Sequence, residues 1–327
     1  MNTTRRTLIA AGISGLIGVL AATPSVAASY PDRPVKIIVG LAPGGGTDTL
    51  ARIVAKGLSD LWGQSVVVEN RTGASGTIAG LSVVNSHPDG YTLLISPQTS
   101  IAVAPQLFAK PPYDPLKDLT PITVIASSPL VLVTRPSFPA NNFKEFVDYV
   151  RKNPGKVTFA SGGVGSSPHM IYELLKAQLH MQGVHVPYRG EQPALTAVAA
   201  GQVDVLFANI PSGMPFVLDG RLKALVTTGA KRSPLATKVP TILESTGSHI
   251  VTATWNAIYG PAGMPPAIVK KINQDIAKVV NEKDIRTRLI NSGNDPVLNT
   301  PAEFKTFLKS EYDRWGSVIK TNHLQVQ

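Results

Sequence analysis

A glycine-rich turn between a predicted strand and a predicted helix constrains the fold of this chain more than any other feature. The turn is residues 41–48, with the sequence LAPGGGTD. Residues 35–39 before it, VKIIV, are mostly apolar and β-branched, which favours a buried strand. After it, apolar residues recur at helical spacing and predict an amphipathic helix over residues 49–61. A strand that enters a helix in this way is typical of an α/β fold.

The glycine turn has two interpretations. Glycines let a ligand approach the backbone closely, and the unpaired N–H groups of a first helical turn favour an anion. Alternatively, the turn is an ordinary strand-to-helix connection in which Asp48 caps the helix. The turn by itself leaves both interpretations open.

Strands and helices alternate along much of the chain, which predicts an α/β fold with largely parallel sheets. Ligands of such sheets bind beyond the carboxyl ends of the strands. Residues 96–100, SPQTS, read as a polar loop at one of these ends. Polar residues that follow predicted strands are Thr47, Asp48, Asn70, Gln98 and Thr99. Further strands are predicted at 65–70, 91–95, 122–134, 157–160, 185–188, 203–207 and 222–227, and helices at 77–85, 143–152, 267–280 and 301–321.

A second strand, glycine turn and helix repeat the arrangement at residues 157–179. The turn is residues 161–167, SGGVGSS, and the chain therefore holds two candidate anion sites. His169 follows the turn and either packs or contacts a ligand, while Arg189 either pairs with an anion or is a surface residue. Asn209 follows the strand predicted at 203–207. Trp255 either lines a cleft or packs at a hinge.

Residues 1–28 have the pattern of a secretory signal peptide. Arg5 and Arg6 precede an apolar run over residues 8–22, which is followed by small residues that include Ala27 and Ala28. The apolar run is too short to span a bilayer well. The pattern predicts export to the periplasm by the general secretory route or by the twin-arginine route.

The composition and the missing motifs argue against several classes of function. The 327-residue chain has 31 basic and 21 acidic residues, and without Arg5 and Arg6 its net charge is +8. Its basic residues are scattered rather than clustered, which argues against nucleic acid as a partner. It has no cysteine, and its six histidines form no HExxH motif, so we expect no metal and no cofactor. Neither a nucleotide P-loop nor a GxSxG nucleophile motif is present, and we expect no enzymatic activity.

The mature chain resembles the Bug (TctC-type) extracytoplasmic solute receptors. The resemblance follows the whole mature chain in order, and its specificity comes from the number of motifs in register. The matching segments are residues 30–36, 43–52, 68–76, 161–166, 186–190, 201–205, 231–234 and 261–263.

The resemblance implies a two-lobed periplasmic binding protein of type II, a Venus-flytrap fold with the ligand cleft between the lobes. Residues 29–126 and 252–327 would form lobe 1, and residues 127–251 would form lobe 2. The implied ligand is a small carboxylate, and the implied partner is a membrane component of a tripartite tricarboxylate transporter or a sensor protein. We expect a monomer.

In the family, backbone groups and ordered waters from the two glycine turns hold a ligand carboxylate. One departure from the family is Ala208, where relatives often have an aspartate. If that aspartate contacts the distal end of the ligand in the relatives, this protein would prefer a ligand without an amino group at that end. The residues that we assign to ligand binding are Leu41, Gly45, Gly46, Thr47, Asp48, Gln98, Thr99, Ser161, Gly165, Ser166, His169, Arg189 and Asn209.

Two alternatives to a receptor remain on the sequence alone. The first is an enzyme on the same scaffold that acts on a small organic acid, with His169 or Asp48 as its base. The second is a basic protein that binds anionic polymers, and such binding would depend steeply on salt.

Overall fold

Two β-sheets form the framework of the protein in a computed structural model, which describes residues 30–325. The first sheet has six strands in the spatial order β11-β4-β10-β3-β1-β2, and the second has five in the order β7-β6-β8-β5-β9. The strands are β1 Val35–Val39, β2 Val66–Asn70, β3 Thr92–Pro97, β4 Leu119–Ser128, β5 Leu130–Thr134, β6 Val157–Ser161, β7 Gly183–Pro187, β8 Val205–Asn209, β9 Lys223–Thr227, β10 Thr254–Pro261 and β11 Asp295–Pro296.

Helices connect the strands and cover the sheets, which confirms the α/β prediction. A short 3-10 helix, Ala74–Gly76, precedes α2, and a π-helical turn, Thr99–Val103, precedes α3. The α-helices are α1 Gly46–Trp62, α2 Thr77–Val84, α3 Ala104–Leu107, α4 Phe143–Lys152, α5 Ser167–Leu179, α6 Glu191–Ala199, α7 Ile210–Leu218, α8 Ile242–Thr246, α9 Pro266–Asn281, α10 Lys283–Asn291 and α11 Pro301–Thr321.

Both sheets are mixed, so the prediction of largely parallel sheets is wrong. β1 pairs in parallel with β2 and β3, and β6 pairs in parallel with β7 and β8. In contrast, β10 runs antiparallel to β3 and β4, and β5 runs antiparallel to β8 and β9. Helical crossovers within one sheet produce parallel neighbours, whereas β5 and β10 each enter a sheet from the other one and are free of that constraint.

The chain crosses between the sheets twice. β4 ends at Ser128 in the first sheet and β5 begins at Leu130 in the second, so Pro129 alone makes the first crossing. The return runs from the end of α8 at Thr246 to the start of β10 at Thr254. The division into lobes at residues 126/127 and 251/252 stays a prediction, and residues 1–28, the predicted signal peptide, lie outside the described residues.

Two segments differ from their predicted structure near the first glycine turn. α1 begins at Gly46, three residues before the predicted start, and has Gly45 as its N-cap with no side-chain cap. The interpretation of Asp48 as the helix cap is therefore wrong. The predicted polar loop at residues 96–100 is also wrong, because β3 continues to Pro97 and a π-helical turn follows. That turn buries Ile101 and Val103 completely, and their burial stabilises helical structure where the local sequence looks like a loop.

Apolar packing holds α1 against α9 and joins the two halves of the molecule. On the first sheet, α1 packs closely against α9, because a Cβ at Gly57 would overlap the side chain of Val279. Another cluster of buried side chains joins the two halves of the molecule, since it contains Leu107 and Trp315 as well as Met170 and Tyr172 of α5. The two sheets are thus held together by packing as well as by the two crossings.

Candidate functional site

A cleft of about 390 Å³ lies between the two sheets, and both contribute to its walls. Its volume suits a small molecule. From the first sheet and its connections come Leu41, Gly46, Thr47, Pro97, Thr99, Ser128, Thr254, Asn256, Ser292, Gly293 and Asn294; Pro129 lies at the crossing, and the second sheet contributes Ser167, Glu191, Asn209, Ile210, Pro211 and Ser212.

The N-terminus of α1 opens into this cleft. Gly46 and Thr47 occupy its first two positions and line the cleft, and the helix has no side-chain cap. The first N–H groups of an α-helix have no partner within the helix, and the helix dipole adds partial positive charge there. This end of the cleft therefore presents hydrogen-bond donors to an anion.

The side chain of Asp48 holds the glycine turn in place and does not line the cleft. Its carboxylate accepts hydrogen bonds from the Gly44 N–H (2.9 Å) and from Asn70 Nδ2 (2.9 Å). Arg52 donates Nε and Nη2 to its two oxygens at 2.9 and 3.0 Å. The Arg52 guanidinium lowers the pKa of Asp48 to about 2 against the opposing effect of burial. Asp48 thus stays ionised and is a weak base.

Asn256 is a cleft residue that the sequence analysis missed. It accepts a hydrogen bond from Thr47 Oγ1 at 2.8 Å, which joins β10 to the start of α1. Its neighbour Trp255 points to the opposite face, where it is 3% exposed and donates Nε1–H to Glu311 at 2.9 Å. Trp255 therefore packs away from the cleft. Side chains alternate across a strand, and this alternation was the available signal for Asn256.

The second glycine turn satisfies most of its polar groups internally. Ser161 is fully buried, and its Oγ lies 2.6 Å from His185 Nε2 and accepts the Gly163 N–H at 3.0 Å. Ser166 Oγ donates to the Gly163 carbonyl at 2.6 Å. Of residues 161–167, Ser167 is the one that lines the cleft.

His169 lies beneath the second turn and is 2% exposed. Its ring stacks on the ring of His185 with centroids 4.0 Å apart, and its Nδ1 accepts the Gly165 N–H at 3.1 Å. Burial lowers the pKa of His169 to about 3 and that of His185 to about 4. Both rings are therefore neutral at physiological pH. His169 supports the turn from behind and does not line the cleft.

The structure brings together part of the residue set assigned from sequence. Leu41, Gly46, Thr47, Thr99 and Asn209 line the cleft. Arg189 is exposed outside it, and Gln98 is 2% exposed, with its Nε2 lacking a hydrogen-bond partner within residues 30–325. Ligand contact by any of these residues stays a prediction. Those that do not line the cleft are Gly45, Asp48, Gln98, Ser161, Gly165, Ser166, His169 and Arg189.

The N-terminus of α7 also reaches the cleft, as do Ser167 and Glu191, the first residues of α5 and α6; the start of α7 was missed from the sequence. Asn209 is its N-cap, and the next three residues, Ile210 to Ser212, line the cleft with it. Ala208 is fully buried in β8 and does not line the cleft. An acid is nevertheless present there, because Glu191 at the start of α6 lines the same wall. The only local signal for Glu191 was its place after a strand exit.

Residues 30–325 contain neither a cluster of metal ligands nor a membrane-spanning helix. Within residues 30–325, no cluster of three or more His, Cys, Asp or Glu side chains could hold a metal ion. None of the helices in the same range is long and apolar enough to cross a membrane.

Comparisons with known proteins agree with this architecture. A family model described as tripartite tricarboxylate transporter family receptor matches residues 50–324. Protein BugT of Bordetella pertussis (strain Tohama I) is 34% identical over 326 residues, which cover 98% of each chain. The structure of Rpa4515 of R. palustris with adipate has a TM-score of 0.77 at 33% identity, covering 90% of this chain and 99% of that one. MatC (Rpa3494) of Rhodopseudomonas palustris with bound malate has a TM-score of 0.73 at 32% identity, covering 89% and 100%.

Proposed function

Because the chain belongs to the tripartite tricarboxylate transporter receptor family, we propose that it is a periplasmic receptor that captures a small carboxylate. Its two lobes are built on the first and second sheets and close around the ligand. The crossings at Pro129 and between Thr246 and Thr254 are the segments about which the lobes move.

The observation that carries this proposal is the uncapped start of α1 in the wall of the cleft. Gly46 and Thr47 offer backbone N–H groups there, and no side chain competes for them at the N-cap. A carboxylate accepts such bonds with charge assistance, which makes them stronger than bonds between neutral groups. The net charge of +8 of the chain without residues 1–28 adds a field that attracts anions.

The ligands of similar proteins support the same class of ligand. Rpa4515 was solved with adipate and MatC with malate, and both acids are small carboxylates. Each of these proteins aligns with about nine-tenths of this chain and shares its fold. The similarity supports a carboxylate in the cleft here without specifying which one.

We further propose that the protein binds its ligand without converting it. The two bases of the enzyme alternative are poorly placed for catalysis, since Asp48 is tied to Arg52 and His169 is buried behind the second turn. The captured ligand would pass to a membrane component of a tripartite transporter or be reported to a sensor protein. The working form would be a monomer.

A ligand screen tests the proposal directly. The purified mature protein is heated with mono-, di- and tricarboxylates, neutral sugars and amines. A ligand at 100 times its dissociation constant stabilises the folded state by about 2.7 kcal/mol. That corresponds to a rise in melting temperature on the order of 5 °C. We expect this rise from one or a few carboxylates, and its loss when the carboxylate is esterified.

Two results would contradict the proposal. Stabilisation by a neutral sugar while every carboxylate fails would show that the cleft does not bind carboxylates. Conversion of a bound acid, detected by mass spectrometry after incubation, would show that the protein is an enzyme.

A further inference from the structure

Glu191 is the one ionisable side chain in the lining of the cleft, as the described residues form it. The remaining lining residues are apolar, glycine, hydroxyl or amide residues, and no lysine, arginine or histidine is among them. An acid is unexpected in a cleft that binds carboxylates. Its presence makes the two ends of the cleft chemically different.

The carboxylate of Glu191 is held in a fixed position by Asn209. One oxygen accepts the backbone N–H of Asn209 at 2.5 Å, and the other accepts Asn209 Nδ2 at 2.5 Å. A carboxylate oxygen can accept two hydrogen bonds, so each oxygen keeps capacity for one more. Both partners of Glu191 are neutral, and among residues 30–325 no basic side chain forms a salt bridge with it.

A half-buried carboxylate without a cation is energetically costly, and the cost falls when a donor or a positive charge reaches it. Burial raises the pKa of Glu191, while the two bonds from Asn209 oppose that rise. The Glu191 carboxylate, in the wall formed by α6 and α7, is therefore suited to accept a hydrogen bond from a ligand. The start of α1, in the wall built on the first sheet, is suited to donate one.

We propose that Glu191 determines the specificity of the receptor by selecting carboxylates that also carry a hydrogen-bond donor, best a cationic ammonium group. The proposal rests on the proposed function, since it assumes that the start of α1 holds the ligand carboxylate. A dicarboxylate would place its second charge against Glu191, and like charges brought together in this way repel. An ammonium group would instead pair with Glu191.

This proposal differs from the expectation based on Ala208. The buried Ala208 leaves the wall of β8 without an acid, but Glu191 supplies one from the neighbouring helix. A ligand with an amino group would therefore find an acid in the cleft although residue 208 is alanine.

The test uses matched ligands that differ at one end. Each set has one carbon chain with a carboxylate at one end and an ammonium, a hydroxyl or a second carboxylate at the other. Calorimetry measures the affinity of the mature protein for each member over several short chain lengths. We expect the ammonium compound to bind best, the hydroxyl compound next, and the dicarboxylate about tenfold or more weaker than the first.

Substitution of Glu191 then separates specificity from positioning. Glu191→Gln removes the charge and keeps the size, and it should lower the preference for ammonium over carboxylate by about tenfold or more. Asp148→Asn is the control, because Asp148 is exposed on α4 and the change alters net charge equally. Its preference should equal that of the native protein. If Glu191→Gln does not fold, Glu191→Ser is measured in the same way.

The outcomes distinguish this proposal from the proposed function. If carboxylates bind but the native protein prefers the dicarboxylate, Glu191 does not select a donor and only this inference is wrong. The same follows if Glu191→Gln weakens all ligands equally, since Glu191 would then only hold Asn209. If no carboxylate of any set binds, the proposed function fails as well.

Discussion

Replacing Gly46 with proline would remove one hydrogen-bond donor from the cleft while leaving α1 intact. Gly46 is the first residue of α1, a position that tolerates proline because its N–H has no partner in the helix. The preceding Gly45 has φ −73° and ψ 168°, an extended conformation that suits the residue before a proline. A Cβ added at Gly46 has no neighbouring atom within 4 Å, so the protein has room for it.

The expected loss follows from the kind of bond removed. A hydrogen bond to a charged group contributes about 1.5–3 kcal/mol. If the Gly46 N–H bonds the ligand carboxylate, Gly46→Pro should raise the dissociation constant roughly 10- to 150-fold. The melting temperature of the unliganded protein should not fall, because proline reduces the conformational freedom of the unfolded chain.

Gly46→Ala is the matched control, since it adds a Cβ but keeps the N–H. Calorimetry with the best carboxylate from the ligand screen compares the native protein and both variants. We expect Gly46→Ala to bind much more tightly than Gly46→Pro. Equal affinity of all three proteins would refute the view that the start of α1 donates to the ligand.

Two further predictions concern the second glycine turn. Gly165 has φ +76°, and a Cβ added there would lie 2.9 Å from the side chain of Leu107 in α3, which follows β3 of the first sheet. Gly165→Val should therefore push the two lobes apart and weaken ligand binding by about tenfold, or 1.4 kcal/mol. The control is Gly155→Val, which places a valine at φ +73° with no neighbour within 4 Å and should bind ligand normally. Equal losses of affinity in both variants would show that the contact with Leu107 is not the cause. The pKa values of about 3 for His169 and about 4 for His185 lie below the ordinary 6.5, so the folded state binds fewer protons than the unfolded chain. The contribution of these two histidines to the free energy of unfolding should be fully present above about pH 6.5 and should decrease as the pH falls toward 4. Urea unfolding at pH 7 and pH 5 measures this difference in the free energy of unfolding. The difference should be smaller in His185→Gln than in the native protein, and it should be unchanged in His249→Gln, because His249 is exposed.

Local signals in the sequence determined two helices, α4 and α11, that begin at a side-chain cap. α4 and α11 have the predicted bounds, Phe143–Lys152 and Pro301–Thr321. Asn142 accepts the N–H of Glu145, and Thr300 forms a capping box with Glu303. These caps lie within a few residues of the helices they begin, so the sequence alone contains them.

Strand direction and helix starts near the cleft depended on distant parts of the chain. β10 pairs with β3 and β4, although more than a hundred residues separate it from both, and no local pattern states that these pairs are antiparallel. The π-helical turn at Thr99–Val103 likewise forms because Ile101 and Val103 are buried by the tertiary structure. Propensity is a weak guide where burial of apolar side chains outweighs it.

The candidate site divides along the same line. The sequence by itself determined the glycine turn before α1, because a strand, a turn and a helix start are contiguous in the chain. Only the tertiary structure decided what faces that turn, since Thr47 meets Asn256 across 209 positions of sequence. The tertiary structure also placed most of the second glycine turn outside the lining of the cleft, and it brought Glu191 and the start of α7 into the opposite wall. A cleft wall is built from the ends of separate elements, and their packing, not their local sequence, fixes which ends meet.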